Sequence, residues 1–316
     1  TDISRKQLLS WVANGEIPVL IGTHALIQKT VRLKHLALAI IDEQHRFGTI
    51  QRQTLREKEV IFPHLLSMTA TPIPRTLALT IYGDLDLSLL DEMPVGRKPI
   101  LTEIVLPQGR DAVYEKIKIE LKAGRQLYII CPRIDEPDPS KEKAIAAKSV
   151  KEEAKRIKKD IFPEYTINIL HSKMTPKEKE KVMNAFAKGE TRILVATSVV
   201  EVGVNVPNAT IIIIEGGERF GLAQLHQLRG RVIRSSHQAF CFVFADTKTK
   251  KSVERLQALK KASSGFDLAE YDLAQRGSGE LSGRKQWGIT DIGMEGIKNI
   301  KMVEAARTEA SKLITH

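Results

Sequence analysis

The chain has 316 residues, with 49 Lys and Arg against 38 Asp and Glu, a formal charge of +11 and a sequence pI of about 9.5. Its 42% hydrophobic and 28% charged content is that of a globular protein and excludes wholesale disorder; no apolar run nears the roughly 20 residues of a membrane helix. Cys131 and Cys241 each stand alone in an apolar run, which excludes a disulfide framework and a Cys-rich zinc site and reads as two reduced, buried thiols.

In chain order, residues 1–5 open no apolar segment and do not read as a signal peptide. Short apolar runs at 18–22, 36–41 and 65–70 read as three strands. A linker follows at Met93-Pro94-Val95-Gly96-Arg97-Lys98-Pro99, where two prolines and a glycine interrupt any element. Six further strands are expected at 100–106, 126–131, 166–170, 192–196, 210–214 and 239–244. Most are continuous and β-branched, as strands buried on both faces of a parallel sheet are. Helical patterns at 111–123, 141–160 and 176–188 lie between them, and strand–helix–strand repetition implies α/β layers. The Lys- and Glu-rich stretch 141–160 reads as a solvated helix face. A helix at 248–262 and a Gly-rich basic segment close the chain. The expected organisation is 1–94, 95–246 and 247–316, the first unit having few strands for a covered parallel sheet.

Three constellations carry chemistry. Asp42-Glu43-Gln44-His45 follows a strand directly, so its acids emerge at the carboxyl end of a parallel strand, where open α/β sheets place ligands. One carboxylate there can hold a hydrated Mg²⁺ while the next orients or deprotonates water; taken alone, the four residues read more readily as a polar turn capping a helix. Ser67-Met68-Thr69-Ala70-Thr71-Pro72 places small hydroxyls at the next strand end, to bridge elements or to cap a helix. In Gln227-Leu228-Arg229-Gly230-Arg231-Val232-Ile233-Arg234, Arg231 and Arg234 share a face if helical and form an anion clamp or a solvated basic turn.

Together these have the order of superfamily 2 nucleic-acid translocases. Ile-Asp-Glu-Gln-His-Arg-Phe-Gly (41–48), Met-Thr-Ala-Thr-Pro-Ile-Pro-Arg-Thr-Leu (68–77) and Arg-Phe-Gly-Leu-Ala-Gln-Leu-His-Gln-Leu-Arg-Gly-Arg-Val (219–232) resemble the RecG family of bacterial ATP-dependent DNA helicases, from about Gly15 to Gly288. The transcription-repair coupling factor shares the last string but usually has Asp-Glu-Glu-His, so Gln44 favours RecG. The resemblance implies RecA-like motor domains, the first truncated, followed by a helical hairpin. It implies ATP and Mg²⁺ as cofactors and branched double-stranded DNA, stalled forks and Holliday junctions, as substrate. A monomer in the bacterial cytoplasm, with single-strand-binding protein as a partner and no membrane role, completes the expectation.

By the same resemblance, Asp42 holds Mg²⁺ through water, Glu43 polarises the attacking water, and Gln44 and His45 sense nucleotide state. Thr69 and Thr71 couple hydrolysis to domain movement. Gly22, Thr23, His24 and His171 contact the DNA backbone, and Thr197, Glu201 and Gly203 touch DNA and the domain interface. Gln227, Arg231 and Arg234 reach the γ-phosphate side, and Arg276, Arg284 and Gln286 belong to a translocation motif.

The pattern also departs from the family. None of the 20 glycines is followed by Lys, so the Gly-Lys pair of a phosphate-binding Walker A loop is absent. A C-terminal fragment, lacking the wedge domain and unable to hydrolyse ATP alone, is therefore expected. Asn205 replaces an Asp, Ile233 a Gly, Ser172 a Gly, and Gly216-Gly217 an Asn-Pro. A non-catalytic DNA-binding remnant of a motor is the third reading these departures allow.

Overall fold

A computed structural model of the chain describes residues 3–27, 31–33, 35–43, 63–69, 88, 90, 92, 96, 98–132, 150–171, 173–197, 206–232, 237–246, 249–262, 265–276 and 300–314. The chain divides into two compact units, Thr1–Thr71 and Pro72–His316.

In the first unit, helix α1 (Arg5–Asn14) starts where the Ser4 hydroxyl accepts the Gln7 N–H, and ends at Gly15 in the left-handed conformation. A 3₁₀ turn, His24–Ile27, follows. Strands β1 (Leu38–Ile41) and β2 (His64–Ser67) pair in parallel, Ile41 opposite Ser67. The strand expected at 18–22 is absent: these residues are irregular and mostly exposed. Pro18 lacks the donor a ladder needs, and Val19 and Ile21 are both exposed, so apolar character there does not reflect burial.

The second unit is built on a six-stranded, wholly parallel sheet. Its strands are β3 (Leu101–Val105), β4 (Gln126–Cys131), β5 (Ile167–Leu170), β6 (Ile193–Thr197), β7 (Ala209–Ile214) and β8 (Phe240–Phe244), in the order β3-β8-β7-β4-β6-β5. Every residue of β4, β6 and β7 is buried, which is why these strands read as unbroken apolar runs. One face packs under α2 (Arg110–Lys122) and α3 (Val150–Arg156), with Val113, Tyr114, Ile117, Val150 and Phe162 against Ile211, Ile213, Phe242 and Phe244. The other packs under α4 (Pro176–Ala187), α5 (Leu222–Arg229), α6 (Lys250–Lys261) and α7 (Gly265–Arg276), with Phe186, Leu225, Leu256 and Leu268 against Tyr128, Ile130, Ile212 and Ile214. Each fully buried side chain of this size contributes roughly 1.5–3 kcal/mol. Cys131 and Cys241 are free and buried in this core.

Local chemistry sets the edges of these elements. Thr175 and Glu178 form a reciprocal capping box at α4, with Pro176 in the first turn. Gln126 is buried at the start of β4, and its Nε2 donates to the carbonyls of Phe186 (2.6 Å) and Thr191 (2.8 Å). The stretch read as a solvated face is not uniformly so. α3 runs on as a π-helical turn, Ile157–Ile161, and buries Val150, Glu153 and Ile157. Glu153 is tolerated because Arg156, one turn on, pairs with it at 2.6 Å. A helix that the sequence patterns do not flag, α8 (Ile300–Ile314), lies beyond the Gly-rich segment. Among the described residues, no helix is long and apolar enough to cross a membrane.

Candidate functional site

In the first unit, the carboxyl edge of β1 and β2 gathers the expected acids and hydroxyls. Met68 N–H donates to the Ile41 carbonyl at 2.8 Å, so the chain leaves both strands at the same level. Asp42 is exposed there, and its Oδ1 accepts the Glu43 N–H at 2.9 Å. Glu43 has φ 53°, the left-handed region that β-carbon sterics disfavour for any residue but Gly. Such a conformation costs roughly 1–3 kcal/mol and concentrates where side-chain direction matters more than local comfort. Thr69 is exposed at the same edge, and the Ser67 Oγ is buried without a hydrogen-bond partner among the described residues. Gly22 and Thr23 are exposed just before the 3₁₀ turn, whose Leu26 N–H bonds back to Thr23. Gly22 is close-fitted: an added Cβ would sit 3.0 Å from the Leu26 side chain. His24 lies in that turn. Gln44, His45 and Thr71 lie outside the described residues.

In the second unit, two of the expected residues lie at the carboxyl ends of β5 and β6. His171 follows β5, and Thr197 ends β6; the Nδ1 of His171 and the Oγ1 of Thr197 are buried without hydrogen-bond partners among the described residues. Buried polar atoms of this kind are uncommon, and at strand ends they mark a place where a further partner fits. Ser172, Glu201, Gly203 and Asn205 lie outside the described residues. Gln227 is on α5 and half-buried. Arg231 is not on that helix: α5 stops at Arg229, and Gly230–Val232 form a 3₁₀ turn. The shared helical face expected of Arg231 and Arg234 therefore does not continue from α5, and Ile233 and Arg234 lie outside the described residues. Arg276 is the last residue of α7; Arg284 and Gln286 lie outside the described residues.

The segment between β7 and α5 explains one departure. Gly216 takes φ 61°, and a Cβ on Gly217 would collide with the Val243 Cγ1 methyl of β8. Gly217 begins a 3₁₀ turn, Gly217–Arg219, pressed on the sheet with no room for a side chain. Arg255 of α6 then donates to the carbonyls of Glu218 (2.7 Å) and Phe220 (3.0 Å), holding this segment against the C-terminal helices. Arg229 donates to the Leu259 carbonyl (2.8 Å) near the end of α6 and meets the His226 Nδ1 at 2.9 Å. Burial, and then the adjacent Arg229 charge, push the His226 imidazole down to about 4.

Sequence reasoning missed a charged cluster on the α2–α3 face. Glu215, just past β7, is 1% exposed and lies 3.6 Å from Arg110 and 3.8 Å from Arg156. Arg110 also pairs with Asp246 at 2.5 Å and stacks over the Phe244 ring. Arg156 also donates to the Tyr114 hydroxyl at 2.8 Å. The available signal was an acid ending an otherwise all-aliphatic run.

Residues 1–80 match the DEAD/DEAH box helicase family and residues 110–236 the helicase conserved C-terminal domain. The chain is 46% identical over 308 residues to the ATP-dependent DNA helicase RecG of Synechocystis sp., covering 98% of this chain and 36% of that protein. It is 47% identical over 312 residues to the RecG of Bacillus subtilis, covering 98% and 45%. A solved structure of RecG bound to a three-way DNA junction superposes with a TM-score of 0.69 at 40% identity, over 95% of this chain and 38% of that one. The helicase Lhr of Mycobacterium smegmatis, at 16% identity and a TM-score of 0.54 over 82% of this chain and 36% of that one, shares the fold. The chain thus spans less than half the length of the curated relatives it matches, between 36% and 45% for these two. Its parallel sheets are RecA-like helicase folds, and the chain belongs to the RecG helicase family.

Proposed function

We propose that this chain is motor machinery of an ATP-dependent double-stranded-DNA translocase that remodels stalled forks and Holliday junctions in repair and recombination. The observation that carries the reading is the Asp42-Glu43 pair at the carboxyl end of β1, with Glu43 held at φ 53°. An acid kept in a disfavoured backbone conformation at a ligand-binding edge is better explained by chemistry than by packing. High identity to RecG proteins over 98% of the chain favours this reading over a coupling-factor motor or a non-catalytic remnant.

The proposed organisation is residues 1–94 as part of a first RecA-like domain, 95–246 as a second, and 247–316 as a translocation segment. Asp42 is exposed and carries the carboxylate that suits a hydrated Mg²⁺, whose chemistry when ATP is bound is charge neutralisation on the phosphates. Glu43 orients and accepts a proton from the attacking water, and Gln44 and His45 report nucleotide state. Gln227, Arg231 and Arg234 stabilise developing phosphate charge. An arginine in that role is typically worth about 10³–10⁵ in rate, or about 4–7 kcal/mol. Thr69 and Thr71 couple hydrolysis to movement. Gly22, Thr23, His24, His171, Thr197, Glu201 and Gly203 hold DNA backbone, and Arg276, Arg284 and Gln286 drive it. The polar atoms of His171 and Thr197 that have no hydrogen-bond partner among the described residues suit phosphate or sugar contacts. Work as a monomer in the bacterial cytoplasm, with single-strand-binding protein as a partner, belongs to the same proposal.

The test is DNA-stimulated ATP hydrolysis by the full-length gene product. Glu43→Gln should lower turnover at least a hundredfold while duplex binding stays within a few-fold of wild type. Undiminished turnover would remove Glu43 from the chemistry.

A further inference from the structure

The cluster around Glu215 has no part in the proposed chemistry, yet it buries a carboxylate beneath two helices. Removing an acid from water is costly, and a well-packed apolar residue in its place is often neutral or stabilising. Stability alone therefore gives little reason for an acid there. Its position supplies one. Glu215 is the first residue after β7, and α5 begins seven residues later, at Leu222. Its N–H donates to the Ile130 carbonyl of β4 at 2.8 Å, which fixes the backbone where the chain leaves the sheet. Its carboxylate lies between guanidinium groups from α2 and α3, at 3.6 and 3.8 Å. Each of those arginines has a second acid: Asp246 for Arg110 and Glu153 for Arg156. Immediately after Glu215 come Gly216 at φ 61° and Gly217, which has no space for a Cβ. The next segment thus has one narrow path to α5, and Glu215 is its upstream anchor, on the sheet face opposite α5.

We infer that Glu215 is a positioning residue: the Arg110–Glu215–Arg156 clamp sets the path of residues 216–232 and so aims Gln227 and Arg231. The inference rests on the proposed function for what is aimed, but not for the aiming itself.

Hydrogen exchange on the full 316-residue chain tests the aiming. Glu215→Gln removes the charge at constant shape, and both arginines retain an acid partner, so the unit should stay folded. Amides of 216–232 should exchange about tenfold faster, while those of α4, on the same sheet face, stay within about twofold. Glu215→Met, free of the desolvation cost, should show the same local loosening with an undiminished melting temperature. Glu153→Gln serves as the control for simple loss of a buried acid. It should loosen α3 and leave 216–232 unchanged. Equal acceleration in α4 and 216–232, or none in 216–232, overturns the inference. In the full-length gene product, Glu215→Gln should lower kcat for ATP hydrolysis about tenfold with KM for ATP within about twofold. A wild-type protein without ATP hydrolysis would refute the function, and the exchange result would still decide the positioning role.

Discussion

Protonation of His226 should destabilise the second unit as pH falls through the range where free histidine titrates. The Arg229 guanidinium can only donate, so the His226 Nδ1 facing it at 2.9 Å must accept, and the folded ring is neutral. Burial and the Arg229 charge lower its folded pKa from 6.5 to about 4. Cys241, which interacts with the same Arg229, is pushed up to about 12 by burial and stays neutral. With the folded pKa below the unfolded one, the unfolded chain takes up the proton first. Stability is therefore complete above about pH 6.5, falls between about 6.5 and 4, and levels off below. Those two values give a loss of about 2 kcal/mol between neutral pH and pH 5. Urea unfolding at pH 7.5 and pH 5 measures it, with His226→Gln as reference, because a Gln oxygen can accept from Arg229 without titrating. The wild type should lose about 2 kcal/mol more than the variant across that interval. Parallel losses, or a His226 ring that titrates near 6.5 by NMR, would refute the reasoning.

Other outcomes follow from single contacts. Gly217→Ala should cost about 1–3 kcal/mol by overpacking against Val243, read as a lower melting temperature. Thr175→Ala removes the capping box of α4 and should cost about 0.5–2 kcal/mol in urea unfolding. Gln126→Leu removes the donor to the Thr191 carbonyl, while the Phe186 carbonyl keeps the Gly189 N–H at 3.0 Å, and should cost about 1–3 kcal/mol for the one group left unsatisfied. Duplex binding should weaken with salt by about 0.9 in log K per decade for each phosphate neutralised, and Arg276→Ala should reduce that slope by about one contact.

The six strands of the second unit were legible to within a residue or two, because wholly buried parallel strands are continuous apolar runs and β7 is almost pure isoleucine. The same rule misled at Pro18–Gly22, where Val19 and Ile21 are exposed and no ladder forms. Local composition cannot report whether an apolar run finds a neighbour to bury against. Glu153 and Glu215 were invisible for the complementary reason. Their burial depends on Arg156 and Arg110, and for Glu215 both partners come from helices distant in sequence. Gly217 read as a departure from the family pattern, yet its crowding by Val243 shows a position closed to any side chain. Asp42, Glu43 and Thr69 could be placed just past β1 and β2 because a strand's carboxyl end is legible in sequence. The left-handed backbone of Glu43 was not, since an acid carries no glycine's signature there.

The most direct measurement is ATP-dependent strand displacement from a labelled fork or four-way junction by the full-length gene product, run with wild type and Glu43→Gln. Wild type should convert the branched duplex only with ATP and Mg²⁺, and Glu43→Gln should bind it and leave it intact. Binding without ATP-dependent conversion by the wild type, or equal conversion by both proteins, would contradict the assignment of Asp42-Glu43 to a DNA motor.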